Sequence, residues 1–472
     1  MLLGERPRPR GVREHPQAGW LAVGTVCLGA FMGQLDASIV TLTFPTLQGQ
    51  FQAPLAAVQW VSLAYLLTLA GLLVAVGQVA DAVGRKLMYL HGFALFTVAS
   101  VACGLAPGLA WLVIFRIVQA VGAAMLQANS VALVVTSVPR SRMRAGLGVQ
   151  AAAQALGLAL GPTVGGLLVA SLGWRWVFWV NVPVGCLAWV AGRYLLPRTR
   201  ERTPVRRFDV AGLLLLALAT TTLLLAVSAV SGLPMPGWSA AVLLVVSVLA
   251  VVGFVARERH ATSPLVDLSV LRPPAVSAGL AGALCGYLVL FGPLALFPQV
   301  LGAHGAAGVR TGLILTALPA GFAVAAVTAE RVLPARWGPR ARSLTGAGMS
   351  LAAAAALIAV PTSVGWVVGL LGLLGLGLGI FIPANNGSIM AAILARMAAI
   401  GGGLVSMSRS LGTALGIALV TLCLHAAEGM GSGWAGARLA LAMLALVALA
   451  AGASSLAAGH PVPTPRAGEQ QP

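Results

Sequence analysis

Fourteen apolar stretches, each long enough to cross a bilayer, follow one another along this chain with short connections between them. They lie at roughly 20–44, 58–79, 88–106, 109–134, 147–170, 176–196, 210–230, 239–256, 276–300, 311–329, 343–360, 364–385, 401–424 and 437–457. A helix rising 1.5 Å per residue needs about 20 apolar residues to traverse the hydrocarbon. In lipid, every backbone N–H and C=O must be satisfied within such a segment, and the helix does this without help. The expected fold class is therefore all-α and integral to the membrane, with 14 transmembrane helices.

Charge supports the count. Only 8% of the 472 residues are charged, against about 25% in a soluble domain. A net charge of +18 would suggest a nucleic-acid partner in a soluble protein. Here no nucleic acid is expected, because the cations follow the connections. Of the 29 lysines and arginines, 24 fall in alternate connections or the two termini, three in the intervening connections (Arg175, Arg310, Arg438) and two inside spans (Arg116, Arg409). The positive-inside rule then places both termini in the cytoplasm and requires an even number of spans. Removing any single span would invert every later connection and destroy the alternation.

The spans group as six, two and six. Residues 1–19 read as a cytoplasmic tail and 20–196 as an N-terminal six-helix bundle. Residues 197–275 hold a basic linker with two extra helices, 276–457 a C-terminal six-helix bundle, and 458–472 a second cytoplasmic tail. DAVGRK (81–86) and ARWGPR (335–340) occupy the same place in each set of six. Repeated halves around a central cavity are a transporter plan.

Several classes are disfavoured. An ATP-driven pump needs a phosphate loop with Lys before Ser or Thr, and the single lysine, Lys86, precedes Leu87. No His, Cys or Ser constellation has catalytic spacing, so an enzyme is not expected, and neither is a cofactor. Cys27, Cys103, Cys186, Cys285 and Cys423 lie in or beside apolar runs without ligand spacing, which argues against disulfides or a metal site. The basic N-terminal residues precede a run too long for a cleavable signal. A passive channel suits the Gly- and Pro-broken spans with buried charges less well than a moving carrier driven by an ion gradient.

Four stretches carry finer information. GQVADAVGRK (77–86) sets Gly77, Asp81, Gly84, Arg85 and Lys86 at a tight turn between the second and third spans. RIVQAVGAA (116–124) puts Arg116 inside the fourth span, where it cannot shed its proton and needs a partner. GLALGPTVGG (157–166) aligns Gly157, Gly161 and Gly165 on one face of the fifth span, with Pro162 interrupting the ladder and Gly166 following. GWRWVFWVNVPVG (173–185) sets tryptophans for the membrane interface.

Together with LDASIVTLTFP in the first span, these stretches resemble the major facilitator superfamily, and within it the fourteen-span drug:proton antiporter branch. The resemblance covers essentially the whole chain. Three positions depart from the family pattern: Ala82 where a basic residue is usual, Ala120 where Gly is usual, and Thr41 where Asn is usual. GGGLVSMSRSLGTALG (401–416) also looks like the branch's thirteenth span. The resemblance implies alternating access between two bundles and export of a hydrophobic small molecule, such as an antibiotic, while protons enter. A monomer in the plasma membrane is expected. Alternatives on the same scaffold are an exporter of a specific endogenous metabolite and a proton-symporting uptake carrier.

Asp36 is the carboxylate set well inside a span; Glu330 falls at a span end. A carboxylate in hydrocarbon is expensive, and desolvation favours its neutral form, so Asp36 is the expected proton-coupling group. Asp36 and Arg116 each lie about 12 Å from the outer ends of their spans at 1.5 Å per residue. A structural ion pair and a role for Arg116 in coupling are both open to them. Candidates for the substrate pocket are Tyr65, Gln127, Asn129, Gln150, Gln154, Tyr287, Asn385, Asn386 and Arg409. Each could equally serve as an interhelical hydrogen bond. Residues 311–329 contain no acid at mid-span, so dications are expected to be handled poorly.

Overall fold

The computed structural model describes residues 8–139, 142–199, 209–261, 268–303, 308–334, 336–359, 364–393, 398–427 and 434–457. The linker residues 200–208, both chain ends and the side chains of Asp81 and Glu330 lie outside the described residues.

After a short α1 (Arg10–Arg13), the first span is α2 (Ala18–Ile39), continued through a 3₁₀ turn at Val40–Thr43 into α3 (Phe44–Phe51). Then follow α4 (Leu55–Val58), α5 (Trp60–Val83), α6 (Arg85–Gly104), α7 (Leu109–Ser137), α8 (Met143–Ser171), α9 (Trp176–Trp179) and α10 (Asn181–Leu195). The middle pair is α11 (Val210–Val230) and α12 (Ser239–His260). The remainder is α13 (Pro274–Ala303), α14 (Gly308–Val332), α15 (Pro339–Ala359), α16 (Val364–Ala392), α17 (Ala398–Ala426) and α18 (Ala435–Ala457).

Among the described residues, 13 helices are long and apolar enough to cross a membrane. The expected span that differs is 176–196, which divides at Val180 into α9 and the 15-residue α10. Pro183 lies in the first turn of α10, where its missing N–H is tolerated. The segment runs from Trp174, whose indole donates to Gln50, to Leu196, whose carbonyl accepts from Lys86.

Packing repeats between the two sets of six. In the first set α2 lies on α8, α5 on α7, α6 on α7 and α10, and α10 returns to α2. In the second set α13 lies on α17, α14 on α16, α15 on α16 and α18, and α18 returns to α13. The sets meet where α8 packs on α14 and where α5 packs on α17. These are equivalent contacts, since each joins the second long helix of one set to the fifth of the other. The first contact is close: a β-carbon on Gly312 of α14 would strike the carbonyl of Pro162, with Gly166 Cα 3.2 Å away. Thr163 and Thr316 hydrogen-bond across it.

The pair α11 and α12 packs together, with α11 also touching α5 and α17. Ser247 Oγ donates to Ala219 O at 2.8 Å. At one end Asp209 caps α11 by accepting from Gly212 N at 2.9 Å and pairs with Arg257 of α12 at 3.1 Å. Burial works against the Asp209 charge, but the Gly212 N–H and the Arg257 guanidinium outweigh it and hold the carboxyl below its usual range. A depressed pKa stabilises the fold above the unfolded value of about 3.9, and the benefit disappears as pH falls through the folded value. Asp209→Asn is therefore expected to lower the melting temperature at pH 6 and to converge with the wild type in strong acid. Arg257 is half exposed, so the ion pair's share is small, about 1 kcal/mol or less.

The glycines of α8 permit a second close seam, on the face towards α2. A β-carbon on Gly157 would strike the backbone carbonyl of Phe31, and one on Gly165 would lie 2.7 Å from Ile39 Cγ1. One on Gly161 would meet Ser38 Oγ. The same helix thus seals its own bundle with one face and the opposite bundle with Pro162 and Gly166. Gly157→Val is expected to cost about 1–3 kcal/mol by overpacking against backbone. Gly148→Val, on the same helix but with open space around it, should melt like the wild type.

Candidate functional site

The first span brings Asp36 to the last turn of α2, beside the 3₁₀ turn at Val40–Thr43. Its carboxylate is 0% exposed and Arg116, from α7, is 1% exposed. Arg116 Nη1 donates to Asp36 Oδ2 at 2.6 Å. A guanidinium that deep needs further acceptors, and two are present: Nη1 also donates to Gln119 Oε1 at 2.6 Å, and Nε to the Val61 carbonyl of α5 at 3.0 Å. The Tyr65 ring covers the guanidinium at 4.0 Å, a cation–π contact in a dry setting.

Asp36 Oδ1 accepts from two amides, Gln119 Nε2 at 3.2 Å and Asn181 Nδ2 at 3.1 Å. Gln119 in turn donates to Ser100 Oγ at 2.8 Å. The carboxylate on α2 thus holds α7 and α10 directly, with α6 joined through Gln119 and α5 through Arg116. Asn181 Oδ1 is buried without a hydrogen-bond partner among the described residues. Thr41 donates to its own helix, at Ser38 O, rather than to Asp36.

Beside this centre lies a cavity that is partly open to solvent. Tyr65 lines the cavity and its ring also covers Arg116. Asp36 and Arg116 themselves do not line it. From α2, Gly33, Gln34 and Ala37 contribute to the wall; from α7, Gln127 and Ser130; from α17, Arg409, Ser410 and Thr413. Apolar surface comes from Leu66, Leu69, Phe96 and Phe291. Both six-helix sets thus supply walls, as a carrier that opens alternately at two ends requires.

Of the nine pocket candidates, Tyr65, Gln127, Gln154 and Arg409 line the cavity. Tyr287 stands behind, its ring 6.0 Å from the Arg409 guanidinium. Gln150 donates to Ser130 Oγ at 2.9 Å, supporting the wall from outside. Asn129 donates to its own helix at Met125 O, and Asn385 ties α16 to α13 through Gly279 O. Asn386 Oδ1 is buried without a partner among the described residues.

The turn motif lies at the far end of α5. Gly84 adopts φ +121°, a conformation that favours glycine, and joins α5 to α6. Lys86 is buried and donates to the carbonyls of Arg193 and Leu196, anchoring the end of α10. Gly77 faces open space and Arg85 is half-buried.

Asn181 lies in the GWRWVFWVNVPVG stretch without a site role expected of it, and Ser100, Gln34, Phe291, Ser410 and Thr413 were not expected at the site. Asn181 carried the most accessible signal, as an amide inside an otherwise apolar segment.

Comparison with known proteins agrees with this architecture. The family model described as Major Facilitator Superfamily matches residues 26–417. The tetracenomycin C resistance and export protein of Streptomyces glaucescens is 31% identical over 436 residues, covering 89% of this chain and 80% of that one. The methylenomycin A resistance protein of Streptomyces coelicolor is 31% identical, covering 93% and 92%. The multidrug resistance protein Stp of Mycobacterium tuberculosis is 34% identical, covering 83% and 73%. Among solved structures, an auto-inhibited POT family peptide transporter superposes with a TM-score of 0.67 at 16% identity, covering 94% of this chain and 96% of that one. Solved structure and sequence relatives converge, and the chain belongs to the Major Facilitator Superfamily of membrane transporters.

Proposed function

We propose that this transporter exports a hydrophobic, antibiotic-like small molecule in exchange for protons, with Asp36 as the group that takes up and releases the proton. The observation that carries this reading is the shared side chain: Tyr65 both lines the cavity and stacks on Arg116. A change at the ion pair therefore reaches the substrate space through one side chain.

Protonation of Asp36 removes the charge that holds Arg116 Nη1. The guanidinium then rests on the Val61 carbonyl and Gln119 Oε1, and α2 is released from α7. Asn181 suits both states, because an amide donates to a carboxylate and, when rotated, accepts from a carboxylic acid. The unpartnered Asn181 Oδ1 supplies that acceptor. Rearrangement of α2 bears on α8 at Gly157 and Gly161, and through Pro162 and Gly166 on α14 of the other bundle. The ion pair and the contact between bundles are linked by one helix.

The same reading includes 14 crossings, with α9 and α10 as the sixth, and both termini in the cytoplasm. It places the bundles at 20–196 and 276–457 and the protein as a monomer in the plasma membrane. The arginine-rich connections all fall at one end under that arrangement, which supports it. Substrates such as tetracenomycin C and methylenomycin A, named for two relatives, are the first compounds to test.

The test is expression in an efflux-deficient bacterial host exposed to those two compounds and a broader antibiotic panel. Tolerance should rise, cell-associated compound should fall, and a protonophore should abolish both differences. No change across the panel, or export indifferent to the protonophore, would contradict the proposal.

A further inference from the structure

We propose that the central cavity selects organic anions: flat, ring-containing molecules carrying a carboxylate or phenolate that is held by Arg409. This deepens the export reading by naming the chemical class of its cargo, and it rests on the cavity being the substrate site.

Arg409 is the charged side chain in the cavity wall, and no carboxylate lines it. Arg409 forms no ion pair among the described residues. Its guanidinium lies 6.0 Å from the Tyr287 ring, the outer limit of a cation–π interaction. The nearby buried acid, Asp36, offers no compensation, because it is consumed by Arg116, Gln119 and Asn181. An arginine stays charged and is costly to hold inside a membrane bundle without a counter-ion. A transported anion would supply one.

A second observation has the same polarity. Gln127 Nε2, in the part of the wall that α7 supplies, is a buried N–H donor with no partner among the described residues. Spare donors at both places fit a ligand rich in acceptors. A guanidinium grips a carboxylate through charge-assisted, often bidentate, hydrogen bonds. A cationic ligand would instead meet Arg409 with no opposing charge in the wall, a repulsion in a medium of low dielectric. Leu66, Leu69, Phe96 and Phe291 give the ring system its apolar bed.

Charge balance gives the selection a consequence. One proton inward for one monovalent anion outward moves two positive charges into the cell per cycle. The same exchange with a monovalent cation moves none. Anion export is therefore assisted by an inside-negative potential as well as by the pH gradient.

The test uses the purified full-length protein in detergent and three matched probes at neutral pH: 2-naphthoate, 2-naphthamide and protonated 2-naphthylmethylamine. Binding is read by fluorescence titration and by ligand-induced melting shifts. Naphthoate should bind roughly tenfold or more tightly than the amine, with the amide between them. Arg409→Gln should abolish the preference for naphthoate while keeping amide binding and the ligand-free melting temperature. Arg409→Lys should keep the order of the probes with a smaller spread, since it retains charge without the planar fork. Failure of naphthoate to bind, equal binding of all three probes, preference for the amine, or a naphthoate preference surviving in Arg409→Gln would each overturn the proposal. None of these measurements depends on a proton gradient, so a failure of proton-driven export and a failure of anion selection remain separable.

Discussion

Arg116→Leu should reduce the stability of the folded protein by about 3–5 kcal/mol, the cost of leaving a buried charge without its partner. Asp36 is fully buried, and in the variant its remaining donors are two neutral amides, Gln119 and Asn181. The loss also removes the tie from α7 to α5 through Val61 O and the stacking surface of Tyr65. Removing the charge at the same time tests the cause. The double variant Asp36→Asn with Arg116→Leu should recover a large part of the loss, because two neutral groups need no counter-ion. Arg116→Lys should not substitute: one ammonium cannot reach Asp36, Gln119 and Val61 O with the spread that Nε and Nη1 provide. Melting of the purified proteins in one detergent reads all four. If Arg116→Leu melts like the wild type, the pair is dispensable for the fold.

Asp36→Asn should abolish uphill export while leaving a folded protein. Asparagine has nearly the shape of a protonated aspartate, and its Oδ1 still accepts a hydrogen bond, but it holds no exchangeable carboxyl proton. Arg116 keeps Val61 O and Gln119 Oε1 as acceptors, so the cost to the fold is smaller than for removing the arginine. The variant should sit permanently in the state that proton binding creates. Movement down a gradient, read as exchange of labelled for unlabelled compound, should persist, whereas accumulation against a gradient should fall to background. Loss of both activities at normal expression would assign Asp36 to architecture. Retention of both would remove it from the coupling step.

Much of the architecture was legible because lipid imposes strong rules on sequence. Span length marks fourteen stretches, of which 13 are helices long and apolar enough to cross a membrane among the described residues, and depth along the first and fourth spans sets Asp36 and Arg116 level, in agreement with their 2.6 Å contact. The sixth segment was harder. Its 21 mostly apolar residues read as one helix, but the chain turns at Val180 and brings Asn181 onto Asp36. Nothing in residues 176–196 taken alone announces that turn.

The site was legible only in outline, for a physical reason. Helices that are apolar on every side carry no amphipathic stripe to say which face looks inward. Gln127 faces the cavity, while Asn129, two residues on, returns to its own helix. Gln154 lines the wall, and Gln150, one turn earlier, braces Ser130 from behind. Rotation about the helix axis decides between such neighbours, and tertiary packing sets that rotation. The glycine seam of α8 is the exception, since the spacing of Gly157, Gly161 and Gly165 marks one face by the absence of side chains.

The central claim is that proton exchange at Asp36 drives transport, and everted membrane vesicles test it most directly. Vesicles bearing wild type or Asp36→Asn at matched abundance are given an acid-inside pH gradient and a compound to which the wild type confers tolerance. The account predicts compound accumulation in wild-type vesicles, with outward proton movement on compound addition, and neither in the variant. Equal accumulation and equal proton movement in both would contradict it.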